Sequence, residues 1–472
     1  MFLKPKQGKE ATMPPYQTDP VLQSAALNEL FEFVRAERVQ ESSFEEFEAT
    51  LHEHVCALER DFLAGELARL DVQEQHISVD GKRFRRKGSH EQIYLTQAGE
   101  LRVDRSLYVS CTGGGRAICP MELRAGIVGG YWSPRSAKIA CTAVAQMTPR
   151  ECFSVFEEQG GMQPSTSSLD RLPKITGERW EKKRQEFEET LRLEKPVNDV
   201  AKTLAISMDG VLTPMKGEGD QESPLDKESQ GPAGYKEVGC ATLSLLAENG
   251  DRLETIRYAR MPQEGKKDVK AWVMREAQSI LEADPDLEVV FVADGARDLW
   301  KFAAELEKQL EIPGMRKVLD AFHALERMKK AIDAAEGEGS AKAKWVFAEL
   351  RERLCEEEDG VQSVLRALRY RRGRSKGQAK KVIATQVKYF EKNQDHMDYA
   401  AQLERCQPIG SGIVEAACKT LVTQRLKRSG MSWGLEGGQA VLTTRALIQS
   451  ERWQSAWKLL SGEFIQHVEL AA

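Results

Sequence analysis

The chain has 472 residues, enough for several domains with real hydrophobic cores. It is 41% hydrophobic and 30% charged, as globular proteins are, and no apolar run reaches the ~18–20 residues of a membrane-spanning helix. The net charge of −5 excludes nucleic-acid binding over the whole surface but not through local basic patches. Nine cysteines, an odd number with no Cys-x-x-Cys pair, predict a reducing compartment, the cytoplasm, with thiols used as small core residues.

Met1 to Pro20 holds Lys4, Lys6, Lys9, Pro14 and Pro15 without an apolar stretch, which predicts a disordered lead-in rather than a secretory signal. Leu27, Leu30, Phe31, Phe33 and Val34 then form one helical stripe, and Phe44, Phe47, Leu51, Val55 and Leu58 another. Residues 1–80 are therefore the lead-in and a helical region. Over 81–130, short runs at Phe84, Ile93–Leu95, Leu101–Val103 and Leu107–Val109, broken at Lys87–Ser89 and Ala98–Glu100, predict a small β region. It ends in Cys111-Thr-Gly-Gly-Gly-Arg-Ala-Ile-Cys119, a knuckle with two of the four ligands that a tetrahedral zinc site needs.

Residues 131–195 return to helix. Thr148-Pro149-Arg150-Glu151 is a capping box, Gly160-Gly161 ends its helix, Ser165 caps the next, and Gly177 is expected to close the unit. This pattern suits a helix-turn-helix DNA reader and an ordinary helical hairpin equally. Glu178 to Glu194 reads as a solvated connecting helix.

Residues 196–330 carry the chemistry. Thr203 to Asp209-Gly210 and Glu288 to Asp294-Gly295 are apolar runs closing in Asp-Gly, and Lys317 to Asp320 is a third run ending in an acid. Lys216 to Ala233 is a Gly/Glu/Ser/Pro-rich loop. Glu237–Leu246 and Arg252–Tyr258 form a hairpin on Asn249-Gly250, and Asp268–Leu281 and Ala296–Leu310 are helices. The order β-β-β-α-β-α-β is that of an RNase H-like core, a mixed five-stranded sheet with helices, and the whole chain reads as an α/β multidomain protein. Adjacent strands lie roughly 5 Å apart, so Asp209 and Asp294, expected at carboxyl ends of strands, can share divalent cations. An all-oxygen donor set favours two Mg²⁺ or Mn²⁺ ions and the clamp of two-metal phosphoryl transfer. The plain alternative is that Asp-Gly simply turns the chain.

Residues 331–405 form an all-α insertion, with helical periodicity at Lys344–Leu354 and Val382–Phe390. Its middle carries Arg366, Arg369, Arg371, Arg372, Arg374, Lys376, Lys380 and Lys381 with Tyr370 between them, a density that suits phosphate. Residues 406–472 are expected to complete the core with helices. Ser411 to Gly430 reads as one helix with Glu415 in its first turn, as a third metal ligand or as an ion-pair partner of Lys419. Lys419, Arg425, Lys427 and Arg428 on it suit a DNA backbone, and Trp433 suits either base stacking or core packing.

Taken in order, Ser207-Met-Asp209-Gly-Val, Ala293-Asp294-Gly-Ala-Arg-Asp-Leu-Trp300, Leu319-Asp320-Ala-Phe-His323, Gly410-Ser-Gly-Ile-Val-Glu415 and Arg425-Leu-Lys-Arg-Ser-Gly-Met-Ser-Trp433 carry a resemblance. The chain resembles DDE-type transposases of bacterial insertion sequences, closest to the Kra group and related to the Mutator-like superfamily, over about 200–450. The resemblance implies a catalytic, metal-holding triad of Asp209, Asp294 and Glu415. It also implies a Cys/Asp-x-x-His element at Asp320 and His323 that positions DNA or braces the core. Arg297 and Trp300 become candidate neighbours of the site or of DNA. The implied partners are double-stranded DNA, both element ends and target, and further copies of the chain in a dimer or larger synaptic complex. The implied location is the bacterial cytoplasm, at the nucleoid. Competing readings are an RNase H-like nuclease without strand transfer and a domesticated DNA-binding protein.

Overall fold

A computed structural model describes residues 24–36, 43–195, 197–216 and 234–470. The expected lead-in and all of the expected loop from residue 217 to 233 lie outside the described residues. The chain divides into two compact units, 1–175 with 460–472, and 176–459. Among the described residues no helix is long and apolar enough to cross a membrane.

The first unit opens with α1 (Ala25–Arg35) and α2 (Phe44–Arg69). Ser43 and Glu46 cap α2 reciprocally, and Phe33 stacks on Phe47 at 5.3 Å. Strands β1 (His76–Val79), β2 (Lys82–Thr96) and β3 (Gly99–Ser110) follow as an antiparallel meander. The strand Val468–Leu470 pairs with the open edge of β1. One face packs Tyr94, Leu101 and Val103 on Met121 and Ile127, and a second cluster joins Ile77, Val79 and Tyr108. Next come α3 (Pro120–Ala125), α4 (Pro134–Gln146), α5 (Pro149–Gln159) and α6 (Thr166–Glu194). The expected caps form: Thr148 and Glu151 make a capping box, and Ser165 Oγ accepts from Ser168 N. Gly177, expected to close the unit, lies inside α6 instead. A Cβ there would stand 2.6 Å from Ala440 Cβ, so this glycine serves close helix approach rather than termination.

The second unit is built on β4 (Ala201–Pro214), β5 (Tyr235–Ala247), β6 (Arg252–Arg260), α7 (Lys267–Ala283), β7 (Glu288–Ala293), α8 (Arg297–Gln309) and β8 (Arg316–Leu319). The sheet is mixed and five-stranded in the order β6-β5-β4-β7-β8, antiparallel up to β4 and parallel from β4 to β8. Gly250, at a φ of 83°, makes the expected β5–β6 turn. One face carries α7 and α8 through Leu204, Ile206, Met208, Val273, Phe291 and Phe302.

The helical insertion is α9 (Ala321–Glu336), α10 (Ala341–Glu356), α11 (Gly360–Arg374), α12 (Gly377–Asn393) and α13 (Tyr399–Glu404). Its core is continuous with Val290, Val292 and Val318 on the opposite sheet face. The chain returns as α14 (Gly412–Ala417), a π-helical stretch Cys418–Thr423, α15 (Gln424–Leu426) and α16 (Leu435–Gln449), packed on Val238 and Cys240. The single helix expected from Ser411 to Gly430 is thus interrupted by a π segment, a feature frequent at functional sites, and stops at Leu426. A last helix, α17 (Trp453–Gly462), closes the sequence of helices.

The expected solvated connector, Glu178 to Glu194, is partly internal. Arg184, Glu188 and Arg192 have side chains at most 10% exposed. Arg192 and Arg452 donate to Glu276, whose side chain is 1% exposed, at 3.0 and 2.6 Å, and Tyr258 donates to it at 2.5 Å. The i, i+4 spacing of 184, 188 and 192 aligns alternating charges on the buried side of α6, which a count of charged residues does not reveal.

Candidate functional site

Asp209 does not end its strand. β5 pairs with β4 as far as Pro214, whereas β7 accompanies it only to the pair Ser207↔Val292. Two residues beyond that last pair stand Asp209, still in β4, and Asp294, just past the end of β7, close enough for the charge of Asp294 to act on Asp209. The two glycines differ in purpose. Gly295 has a φ of 91° and turns the chain out of β7. Gly210 makes no turn; a Cβ there would fall 1.9 Å from Glu237 Oε1, so its smallness admits that carboxylate.

Asp209 is half-buried. Its Oδ1 accepts from Gly210 N at 2.7 Å, and its Oδ2 receives the Cys418 thiol at 3.7 Å. Burial pushes its pKa up and the charge of Asp294 adds to this, while the Gly210 N–H, Lys266 and Cys418 offset part of it. Cys418 lies in the π segment and hydrogen-bonds the Cys240 thiol; that bond, then burial, holds it well above the ordinary thiol range, as a neutral donor. Cys240 is the cross-strand partner of Asp209.

Asp294 is exposed, and its Oδ1 accepts from Ala296 N at 2.9 Å. Tyr389 O–H reaches the Asp294 carbonyl at 3.5 Å, and burial raises its pKa to about 12. Glu415 is exposed and accepts from Ser411 Oγ at 2.9 Å. Ser411 stands at the cap position of α14 but its side chain accepts no cap hydrogen bond; its hydroxyl also contacts Asp320 Oδ2, which accepts from Ser411 N at 2.6 Å. Asp320 is fully buried, and its Oδ1 caps α9 by accepting from Phe322 N at 2.6 Å and His323 N at 3.1 Å. Asp320 N donates to Ala293 O, beside Asp294, at 2.8 Å. One buried residue, through its main-chain N–H and its carboxylate, thus ties the end of β7, the start of α9 and the approach to Glu415 together. Of the two roles open to Asp320, this is bracing.

Among the described residues, Asp294 Oδ2 and Glu415 Oε2 have no hydrogen-bond partner. Among the described residues, too, no group of three or more His, Cys, Asp or Glu side chains is arranged so that it could hold a metal ion as it stands. The candidate donors are hard carboxylate oxygens: Asp294 and Glu415 each have one oxygen engaged by a local donor, while both oxygens of Asp209 are engaged. That chemistry fits a divalent cation taken up with its own water and a phosphate oxygen.

The remaining candidates separate. His323 and Arg297 are exposed at the first turns of α9 and α8. Trp300 packs inward, near Phe291 and stacked on His396 at 4.4 Å, and so is not presented to DNA. Arg369 pairs with Glu391 and Arg371 with Glu336, both at close range. Arg372 is half-buried; Arg374 and Lys376 are exposed, with Arg374 bonded to the Tyr370 hydroxyl. Lys419 and Lys427 are exposed, and Arg428 is half-buried. Arg425, expected on a DNA face, is 2% exposed and lies 4.9 Å from the Trp433 ring. Trp433 donates Nε1 to Leu426 O at 3.1 Å and bridges to Met215, so the pair is structural. The alternation of Arg425 with Lys427 and Arg428 reads as a basic run, but α15 ends between them and turns Arg425 inward.

Sequence reasoning missed Ser411 as a link, Cys418, Tyr389 and Lys266. Lys266 has the left-handed backbone, φ 53°, that costs a non-glycine residue about 1–3 kcal/mol. Its stem lies against Gly239, the partner of Gly210, and its ammonium meets Glu237 at 3.1 Å. Burial works against its charge, yet Glu237, Asp298 and Asp209 outweigh it and raise its pKa. In the sequence Glu264-Gly265-Lys266-Lys267 signals only a turn. No protein-family model, characterised protein or solved structure matches the chain.

Proposed function

We propose that the chain is a DNA transposase of the DDE type, working on an RNase H-like core by metal-dependent phosphoryl transfer. The observation that supports this reading is the interaction of Asp209 with Asp294 where β7 stops, with Glu415 linked through Ser411 to Asp320, whose N–H bonds Ala293 O next to Asp294. Three antiparallel strands followed by two parallel ones, with helices on both faces, support the core assignment.

Asp209, Asp294 and Glu415 are the residues that would hold Mg²⁺ or Mn²⁺, which supplies Lewis-acid stabilisation of the attacking and leaving oxygens. The chain's own part is positional. Asp320 fixes Ser411, and Ser411 fixes the Glu415 carboxylate. Cys418 holds Asp209 Oδ2 while Gly210 N holds Oδ1, so this carboxylate has little freedom to swing. Tyr389 braces the backbone of Asp294. Preorganisation of this kind is what phosphoryl transfer asks of a protein, since little covalent chemistry falls to it. The α5–turn–α6 segment, with exposed Ser167 and Arg171, and the basic end of α11 around Arg374 and Lys376 are the proposed DNA-reading and DNA-holding surfaces. Joining two ends requires more than one copy of the chain.

The test is an incubation of the purified chain with labelled duplex carrying the native element ends and a target duplex, with Mg²⁺, Mn²⁺ or EDTA. Metal-dependent nicking followed by joined product supports the transposase. Nicking without joining moves the reading to a nuclease, and specific binding without nicking leaves a DNA-binding protein.

A further inference from the structure

The knuckle-like stretch between Cys111 and Cys119 finds no role in the site above. Cys111 is exposed and Cys119 is buried beneath Tyr94, so the two thiols do not face a common ligand. What surrounds the stretch is of another kind. From Lys82 to His90, β2 carries Lys82, Arg83, Arg85, Arg86, Lys87 and His90 and no acid. Arg86 alone turns inward, donating to Gln73 and Ser106. Lys82, Arg83, Arg85, Lys87 and His90 are all exposed. Among the described residues none of these five makes a hydrogen bond or an ion pair through its side chain, whereas Arg102, Arg105, Arg260 and Arg316 on other strands each meet an acid. The nearby acids do not neutralise them: Asp80 sits in the β1–β2 turn, and Glu469 is opposite Ser78, a strand beyond the partner of Arg83.

The neighbouring loop adds to the patch. Cys111 N donates to Arg83 O at 3.0 Å, which seats Thr112 to Ala117 beside Arg83. Arg116 in that loop is exposed. Gly113, Gly114 and Gly115 all have φ between 76° and 88°, and a Cβ at any of them would meet nothing within 4 Å. Gly113 N donates to Ser110 O, while the bare backbone of Gly114 and Gly115 beside a guanidinium lets an anionic oxygen approach closely. A β-bulge between Arg86 and Gly88 twists β2 at this place, re-aiming Lys87.

We infer that the Lys82–Lys87 stretch of β2 and the Gly113–Arg116 loop form a second contact surface for the phosphate backbone of double-stranded DNA, independent of the carboxylate site. The sheet is four strands wide here, too broad to enter a groove, so the surface grips phosphates and reads no bases. It rests on the proposed action on DNA, but on binding alone and not on cleavage.

The test measures full-chain binding to a labelled duplex by anisotropy, in Ca²⁺, across a salt series. The variants are the triple Arg83→Ala/Arg85→Ala/Lys87→Ala and the charge-keeping triple Arg83→Lys/Arg85→Lys/Lys87→Arg. Each lost phosphate contact lowers the slope of log affinity against log salt by about 0.9. The alanine triple should therefore lower it by about 2–3 and weaken binding at least tenfold at physiological salt, equally for unrelated sequences, with an unchanged melting temperature. The charge-keeping triple should match wild type. An alanine triple with the wild-type slope overturns the inference. So does a wild-type chain that ignores duplex DNA, or one that binds anionic vesicles through these residues instead. A parallel incubation in Mg²⁺ separates the two proposals: a wild-type chain that binds but does not cut there removes the catalytic reading and leaves this one to its slope.

Discussion

Asp320→Asn probes the bracing role most sharply, because the change is one of charge and not of size. The carboxylate accepts from four donors: Phe322 N, His323 N, Ser411 N and Ser411 Oγ. Asparagine keeps one acceptor oxygen, enough for the two α9 amides, and turns an NH₂ group toward Ser411. The bond from Ser411 N to a charged, fully buried acceptor, worth about 1.5–3 kcal/mol, is lost and its N–H faces another N–H, while the Ser411 hydroxyl turns from donor to acceptor toward the new NH₂. With the facing N–H pair added, a total of about 3 kcal/mol is expected. At roughly 2–4 °C per kcal/mol, the melting temperature falls by about 6–12 °C. The facing N–H groups displace Ser411 and with it the Glu415 carboxylate it bonds, and a shift of about 1 Å there costs on the order of 10²-fold in cleavage rate. Calorimetry and single-turnover cleavage read the two effects together. A variant that melts within about 1 °C of wild type yet has lost all cleavage would refute the reasoning, since Asp320 would then act on the substrate rather than on the fold.

Three further outcomes follow from the same structure. Asp209 has its native pKa raised above the unfolded value of about 3.9. The native state therefore holds this proton more tightly, and stability from this group is full below the unfolded pKa and lost as pH rises through the raised native one. Asp209→Asn should melt above wild type at pH 7 in EDTA, by the equivalent of about 0.5–2 kcal/mol, with the gap closing toward acid pH; a variant less stable than wild type at pH 7 contradicts this. Glu276→Ala leaves Arg192, Arg452 and Tyr258 without their common acceptor and should cost about 3–5 kcal/mol in denaturant titrations, whereas a loss under about 1 kcal/mol would mean the network is solvated. Mn²⁺ at a hundred times its dissociation constant should stabilise wild type by about 2.7 kcal/mol in thermal melts and leave Asp294→Asn unmoved; equal stabilisation of both would place the ion elsewhere.

The order of strands and helices in the second unit was legible because each element carries its own period and its own stop. Asn249-Gly250 marks a hairpin, and the runs ending at Ala293 and Leu319 are apolar enough to be buried on both faces. The two aspartates were legible for the same reason. What local pattern does not carry is partnership across the chain. Asp209-Gly210 looks like a strand end, but β5 extends the strand past it, and Gly210 answers to Glu237 rather than to a turn. Gly177 looks like a helix stop until Ala440 is seen against it. Arg425 looks like a DNA contact until the π segment and Trp433 turn it inward. Ser411, seen only as a cap, links two acids separated by 95 residues in sequence, Asp320 and Glu415. Long-range hydrogen bonds of this kind leave no trace in the spacing of a single sequence.

The central claim is that Asp209, Asp294 and Glu415 act as one unit on a phosphodiester. The most direct measurement is the Mg²⁺-dependent nicking rate of a labelled duplex carrying the element ends, for wild type, Asp209→Asn, Asp294→Asn and Glu415→Gln at saturating protein. The account predicts a fall of at least about 10³-fold in each variant and no further fall when two are combined, since residues that act as a unit are not additive. A variant that retains nicking within about tenfold of wild type would contradict it and remove that residue from the site.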